Sequence, residues 1–306
     1  MEITIILDYL IRGISLGSVY AIIALGYTMV YGIAKMLNFA HGDVIMVGGY
    51  ICFFAMSGLS GNFEEGSLAA TVVPAVAGTL AAMAVCTVLG VVIERLAYKP
   101  LRQAPSLAVL ITAIGVSYFL QNAALLLWSS NPKAFTPVTG RGSLQVGPLS
   151  ISYVTLLTIA ACIIIMAVLT AFTSRTRLGK AMRAVSEDKG AAQLMGINVN
   201  ATISLTFAIG SALAAIAGVL YMSAYPTLTP TTGSMPGIKA FTAAVFGGIG
   251  SIPGAMLGGL LLGIIEIFAG AYISTQLQNA IVFAVLIVVL LVKPAGLLGK
   301  MVQEKV

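Results

Sequence analysis

Charge is scarce in this chain. Only 8% of its 306 residues are Asp, Glu, Lys or Arg, while 59% are hydrophobic. Globular domains carry about 25% charged residues, so the deficit excludes an ordinary water-soluble domain. Histidine occurs once, at His41, which rules out a multi-histidine metal site. The three cysteines, Cys52, Cys86 and Cys162, each stand inside an apolar run. They are spaced too widely for a metal motif and read as small buried packing residues. No G-x-x-x-x-G-K-[ST] run is present, so the chain does not bind and hydrolyse ATP by that route. No nucleophile with a neighbouring base stands out, which argues against an enzyme. The start of the chain lacks a basic n-region and a small-residue cleavage site, so its first apolar run reads as a retained span.

What is present is a series of long apolar runs. Transmembrane β-strands alternate polar and apolar residues; these runs are apolar on every face. The expected fold is therefore all-α, a polytopic transmembrane helical bundle in one domain over residues 1–306. The net charge of +6 reads as charge in cytoplasmic loops, not as nucleic-acid binding. Spans are expected near 9–31, 44–59, 68–93, 106–128, 150–172, 201–223, 255–272 and 276–293. Residues 238–245 are apolar but too short to cross about 30 Å of hydrocarbon at 1.5 Å per residue. The segment near 238–254 is thus broken or re-entrant, and the total is eight or nine spans.

Basic residues orient the bundle. Put 94–102, 174–199 and the tail inside the cell. The loops near Glu64 and at 129–149 then fall outside, and so does the N-terminus. An odd number of crossings must follow residues 224–236. Nine crossings result if 238–250 crosses as a broken helix.

Residues 174–199 form the longest polar island. It holds Arg175, Arg177, Lys180, Arg183 and Lys189 against only Glu187 and Asp188. Its pattern predicts a short helix over 186–196. Ser186 suits the N-cap, Glu187 and Asp188 suit the positive end of the dipole, and Gly196 suits a left-handed C-terminal cap. Ala191, Ala192, Leu194 and Met195 supply a small apolar face that would fit a partner's groove. The bland alternative is a solvated connecting loop.

Polar groups inside the apolar runs have two readings. Asn38, His41 and Asp43 either cap the second helix or line a pathway or gate. Glu94 and Arg95 can pair with each other or with neighbours. Glu266 stands within an apolar run and can pair with Lys239 if their segments meet. The glycines Gly250, Gly254 and Gly258 recur every four residues, as do Gly259 and Gly263. That spacing serves close helix packing. Gly247, Gly248 and Pro253 also interrupt the helix, as a gate would. The acids Asp43, Glu94 and Glu266 keep open an ion-driven secondary amino-acid transporter.

Several stretches together resemble a known family. They are Leu-Gly-Tyr-Thr-Met-Val-Tyr-Gly-Ile at 25–33, Asn-Phe-Ala-His-Gly-Asp at 38–43 and Ile-Glu-Arg-Leu-Ala-Tyr-Lys-Pro-Leu-Arg at 93–102. Gly-Ile-Asn at 196–198 and Lys-Ala-Phe-Thr-Ala-Ala-Val-Phe-Gly-Gly-Ile-Gly-Ser-Ile-Pro-Gly-Ala at 239–255 complete the set. The chain resembles, from first span to tail, the permeases of bacterial branched-chain amino-acid ABC importers. It is most similar to the H-type permease of the Liv system. The resemblance implies a multi-pass bacterial inner-membrane subunit, surrounded by membrane lipid and paired with a second, M-type permease. It also implies two cytoplasmic ATPase subunits that bind ATP and Mg, with no cofactor on this chain. A periplasmic amino-acid-binding protein would deliver leucine, isoleucine or valine. Permeases for urea or short amides resemble the same family. The family's ATPase-docking loop maps onto Arg183, Glu187, Asp188, Ala191, Ala192 and Gly196. Here Asp-Lys-Gly separates Glu187 from Ala191, a departure from the general Glu-Ala-Ala form.

Overall fold

The computed structural model describes residues 2–63, 67–140 and 142–299. Of the expectations above, Glu64 and the last residues of the tail lie outside them. Among the described residues the fold is a helical bundle. Its α-helices are α1 (Glu2–Ala34), α2 (His41–Ser60), α3 (Leu68–Ile93), α4 (Ser106–Trp128) and α5 (Tyr153–Arg175), followed by α6 (Arg177–Glu187), α7 (Lys189–Leu194), α8 (Val199–Ala224), α9 (Ser234–Gly247), α10 (Ile252–Tyr272) and α11 (Gln278–Val292). Seven stretches, those built on α1 to α5, α8 and α10, are long and apolar enough to span a bilayer. Backbone polar groups in hydrocarbon must be satisfied internally, which is why these runs are helical.

The strands are small and gather at one end. β1 (Lys133–Ala134) pairs antiparallel with β4 (Thr227–Leu228), and β2 (Ser143–Val146) with β3 (Leu149–Ser152). The basic loops gather at the opposite end. There α3 runs on through a π-turn, Glu94–Tyr98, and a 3₁₀ turn, Lys99–Leu101. Pro100 lacks an N–H to continue the α-helical ladder.

Helix α1 is the central post. From Val19 to Leu25 it is almost wholly inaccessible. It packs on α10 through small residues, as the Gly13–Gly17 spacing predicts. A Cβ on Gly17 would lie 2.7 Å from Leu260 Cα, and one on Gly263 would lie 2.7 Å from Gly13 O. The glycines thus let two backbones touch, which is how helices gain van der Waals contact where lipid removes the hydrophobic drive.

The expected stripe of Gly250, Gly254 and Gly258 needs one correction. Gly254 and Gly258 do meet α9: a Cβ on Gly258 would lie 2.8 Å from Gly247 N. Gly250 instead sits in the α9–α10 turn at φ +95, beside Gly248 at φ +106, with open space at its Cβ. Left-handed backbone of this kind suits glycine, so the two residues form a turn.

The glycine-rich segment follows its own path. Helix α9 has 14 residues, about 21 Å by its rise. Its last carbonyls, on Phe246 and Gly247, accept from Leu297 N and Leu298 N at 2.9 Å in the tail after α11. The segment before it pairs with β1 at the other end. Residues 225–247 therefore complete one crossing as an extended stretch plus a short helix. With α11, a shorter apolar helix of 15 residues, this is the arrangement that the nine-crossing reading of the sequence expects.

Candidate translocation site

Two helices begin inside the bundle instead of at its surface. Helix α2 starts at His41, whose ring occupies the space left by Gly26: a Cβ there would lie 2.7 Å from His41 Cε1. Gly26 is about 12 Å along α1 from its end at Ala34. Helix α9 starts at the same depth. A Cβ on Gly42 would lie 2.7 Å from Gly233 O, and one on Gly237 would lie 2.7 Å from Gly42 Cα. Neither start carries a side-chain cap, since Ala40 and Gly233 occupy the N-cap positions. Asn38 and Asp43 therefore do not cap α2 as the local sequence allowed. The positive ends of two helix dipoles converge there, while His41 N, Asp43 N, Ser234 N and Gly237 N already donate to Asn38 O, Ala40 O, Thr231 O and Gly233 O.

The polar groups at this junction are held by distant partners. Gln121 Nε2 on α4 lies 2.9 Å from Asp43 Oδ1, 3.2 Å from Ser117 Oγ and 3.2 Å from Ser234 Oγ. Asp43 is buried, while Gln121, Ser117 and Ser234 are partly open. Asn38 Oδ1 accepts from Tyr98 OH at 2.9 Å, tying the approach to α2 to the end of α3. The His41 ring lies 4.6 Å from the Tyr27 ring, and its Nε2 has no partner among the described residues. Gln121 and Ser117 escaped the sequence reading. Their signal is a four-residue polar spacing in an apolar span, which a helix places on one face.

Glu266 pairs with Lys239, Oε1 to Nζ, at 2.6 Å, and also accepts from Gln278 Nε2 at 2.8 Å. Glu94 pairs with Arg102, not with the adjacent Arg95, and its other oxygen accepts from Ser204 Oγ at 2.6 Å. Gly247, Gly248, Gly250 and Gly254 stand at the basic end, away from the Asp43 junction.

The polar island is built differently from the expected 186–196 helix. Thr176 caps α6, which runs to Glu187, and Ser186 donates from Oγ to Arg183 O at 2.7 Å. The N-cap of α7 is Asp188, whose Oδ1 accepts from Gly190 N at 2.7 Å and Ala191 N at 3.0 Å. An aspartate accepts two amides where the serine finds a nearer carbonyl. The C-terminal cap is as expected. Gly196 has φ +79, with Ile197 N donating to Ala192 O and Gly196 N to Gln193 O, both at 3.0 Å, a Schellman closure. Ala192 faces inward and is 4% exposed, whereas Leu194 and Met195 are 90% and 82% exposed. The predicted apolar face is thus split, and only Leu194, Met195 and Ala191 remain outward. Arg183 donates to Ser174 O at 3.3 Å, and Glu187 is exposed.

Residues 9–290 match the family model described as branched-chain amino acid transport system / permease component. The chain belongs to this family. It is therefore a multi-pass inner-membrane permease component, not an enzyme. It is 47% identical over 309 residues to the high-affinity branched-chain amino acid transport system permease protein BraD of Pseudomonas aeruginosa, covering 100% of this chain and 99% of that one. It is 46% identical over 306 residues to LivH of Escherichia coli K12, a permease protein of the same description, covering 98% and 97%. A probable LivH of Methanocaldococcus jannaschii is 28% identical over 286 residues, covering 91% and 88%. No solved structure matches the chain. Membership sets aside the ion-driven alternative. A permease of this class works with an ATPase and a binding protein.

Proposed function

We propose that the chain forms one half of the pathway through which an ATP-driven importer moves leucine, isoleucine or valine into the cell. The other half is a second, M-type permease. Two cytoplasmic ATPase subunits bind ATP and Mg, and a periplasmic binding protein delivers the cargo. The observation that carries this reading is the Asp43 junction, where two uncapped helix starts meet a carboxylate inside the bundle. A zwitterion presents one group of each sign. Its ammonium suits Asp43, and its carboxylate suits the positive dipole ends of α2 and α9, as discontinuous helices do in other transporters. Gln121 holds Asp43 in place and is itself held by Ser117 and Ser234.

Access is switched through the basic end. Leu194 and Met195 form the apolar tip that enters the ATPase, and the capped turns of α6 and α7 transmit its movement. Arg183, Glu187 and Asp188 lie beside that tip. The test is leucine uptake into proteoliposomes holding the assembled transporter. Uptake requires ATP and the binding protein, and Asp43→Asn lowers it at least tenfold while all subunits still co-purify. Undiminished uptake by Asp43→Asn would remove the junction from the pathway.

A further inference from the structure

A cavity lies at the basic end, lined in part by Lys189 of α7 and by none of the residues of the Asp43 junction. It measures about 370 Å³. Its lining combines apolar residues, among them Met36, Leu101 and Leu110, with the basic Lys35, Arg102 and Lys189. No carboxylate lines it. Arg102 is held from behind by Glu94 and Asn200. Its Nε is nevertheless buried without a partner among the described residues. Lys189 Nζ donates to Ala34 O at 3.1 Å. Burial, then the charges of Arg102 and Lys35, push the Lys189 ammonium below the usual lysine range. Lys35 adopts φ +58, a left-handed conformation uncommon outside glycine and costly to maintain. Ser106, at the start of α4, also lines the cavity, and that helix has Pro105 and no side-chain cap at its N-terminus.

We propose that this cavity is a binding site for a short aliphatic carboxylate at the cytoplasmic mouth of the permease. Lys35 and Lys189 repel each other around this space, and an anion between them relieves that repulsion; Arg102, whose charge Glu94 already balances, adds its unpartnered Nε–H. The N–H groups at the start of α4 add to the attraction. The apolar lining residues suit a branched hydrocarbon tail, and the volume falls in the range of small-molecule sites. No acid faces an ammonium group, so the carboxylate and the tail carry recognition. Two sources share that chemistry: the amino acid as it leaves, or a cytosolic 2-oxo acid with the same side chain. The first source rests on the transport reading; the second does not.

The test uses the assembled transporter in lipid nanodiscs, without nucleotide or binding protein. Equilibrium dialysis with radiolabelled 4-methyl-2-oxopentanoate should show one saturable site per copy of this chain. Lys35→Asn removes the charge but tolerates the left-handed backbone, and should weaken binding at least fivefold. Lys35→Arg should restore it. Isopentylamine, which lacks a carboxylate, should not compete. Competition by leucine at similar concentrations would assign the site to leaving substrate; its failure to compete would assign it to the oxo acid. Absence of saturable binding at millimolar concentration overturns the proposal, as does equal binding by a Lys35→Asn complex that assembles normally. Leucine uptake by the wild-type preparation is scored separately. Loss of uptake with intact anion binding would count against the transport reading alone.

Discussion

Lys239 on α9 and Glu266 on α10 meet Nζ to Oε1 at 2.6 Å, and both side chains are almost wholly buried. Gln278 on α11 donates to the same oxygen, and the lysine lies 6.0 Å from the centre of the Tyr20 ring on α1. The pair thus ties the short helix α9 to three neighbours, to α10 and α11 through the carboxylate and to α1 through the lysine. Helix α9 is too short to be held by a full span of packing, and a buried charge must be compensated.

Removing one partner of that pair should cost more than removing its charge alone. Glu266→Ala leaves Lys239 buried and unpaired, a change that costs about 3–5 kcal/mol in comparable pairs. Glu266→Gln keeps an acceptor for the ammonium and should cost less. Thermal unfolding of the solubilised complex, followed by loss of monodisperse protein, should rank wild type above Glu266→Gln and Glu266→Ala last. Equal stability of all three would show that α9 is held by other contacts.

The α1–α10 crossing depends on the absence of four side chains, at Gly13, Gly17, Gly259 and Gly263. Gly263→Ala places a methyl group against the α1 backbone and should cost about 1–3 kcal/mol, the usual range for overpacking. Gly58→Ala is the matched control, because nothing lies within 4 Å of a Cβ there. Lower yield and stability for Gly263→Ala, with Gly58→Ala unchanged, is the expected result. Tolerance of both would mean that the helices can separate freely.

The split face of the polar island separates folding from coupling. Ala192→Asp buries an unpaired charge, so it should reduce folded protein. Leu194→Asp and Met195→Asp alter groups already exposed and should leave the amount of permease in the membrane unchanged. They should lower substrate-stimulated ATP hydrolysis and uptake together, at least fivefold. If both tip variants couple normally while Ala192→Asp folds poorly, the island is a structural loop and not a docking element.

Span positions were legible in the sequence because hydrocarbon imposes a local rule. Each crossing needs an apolar run with its backbone bonded within itself, so the onset of α3 and the extents of α4 and α8 follow from composition. The Gly196 cap was legible for the same reason, since a left-handed turn and its bonds span only a few residues. The choice of Asp188 over Ser186 as N-cap was not, because several adjacent residues compete for the same amides and final geometry selects one. The candidate site depended still more on tertiary structure. Asp43 and Gln121 are separated by 78 residues and Lys239 and Glu266 by 27; only the packing of whole helices brings them together. The sequence by itself determined that this protein crosses a membrane and which end carries the positive charge. The tertiary structure decided that α2 and α9 begin inside the bundle, where Gly42, Gly233 and Gly237 let two chain segments approach more closely than any larger side chain permits.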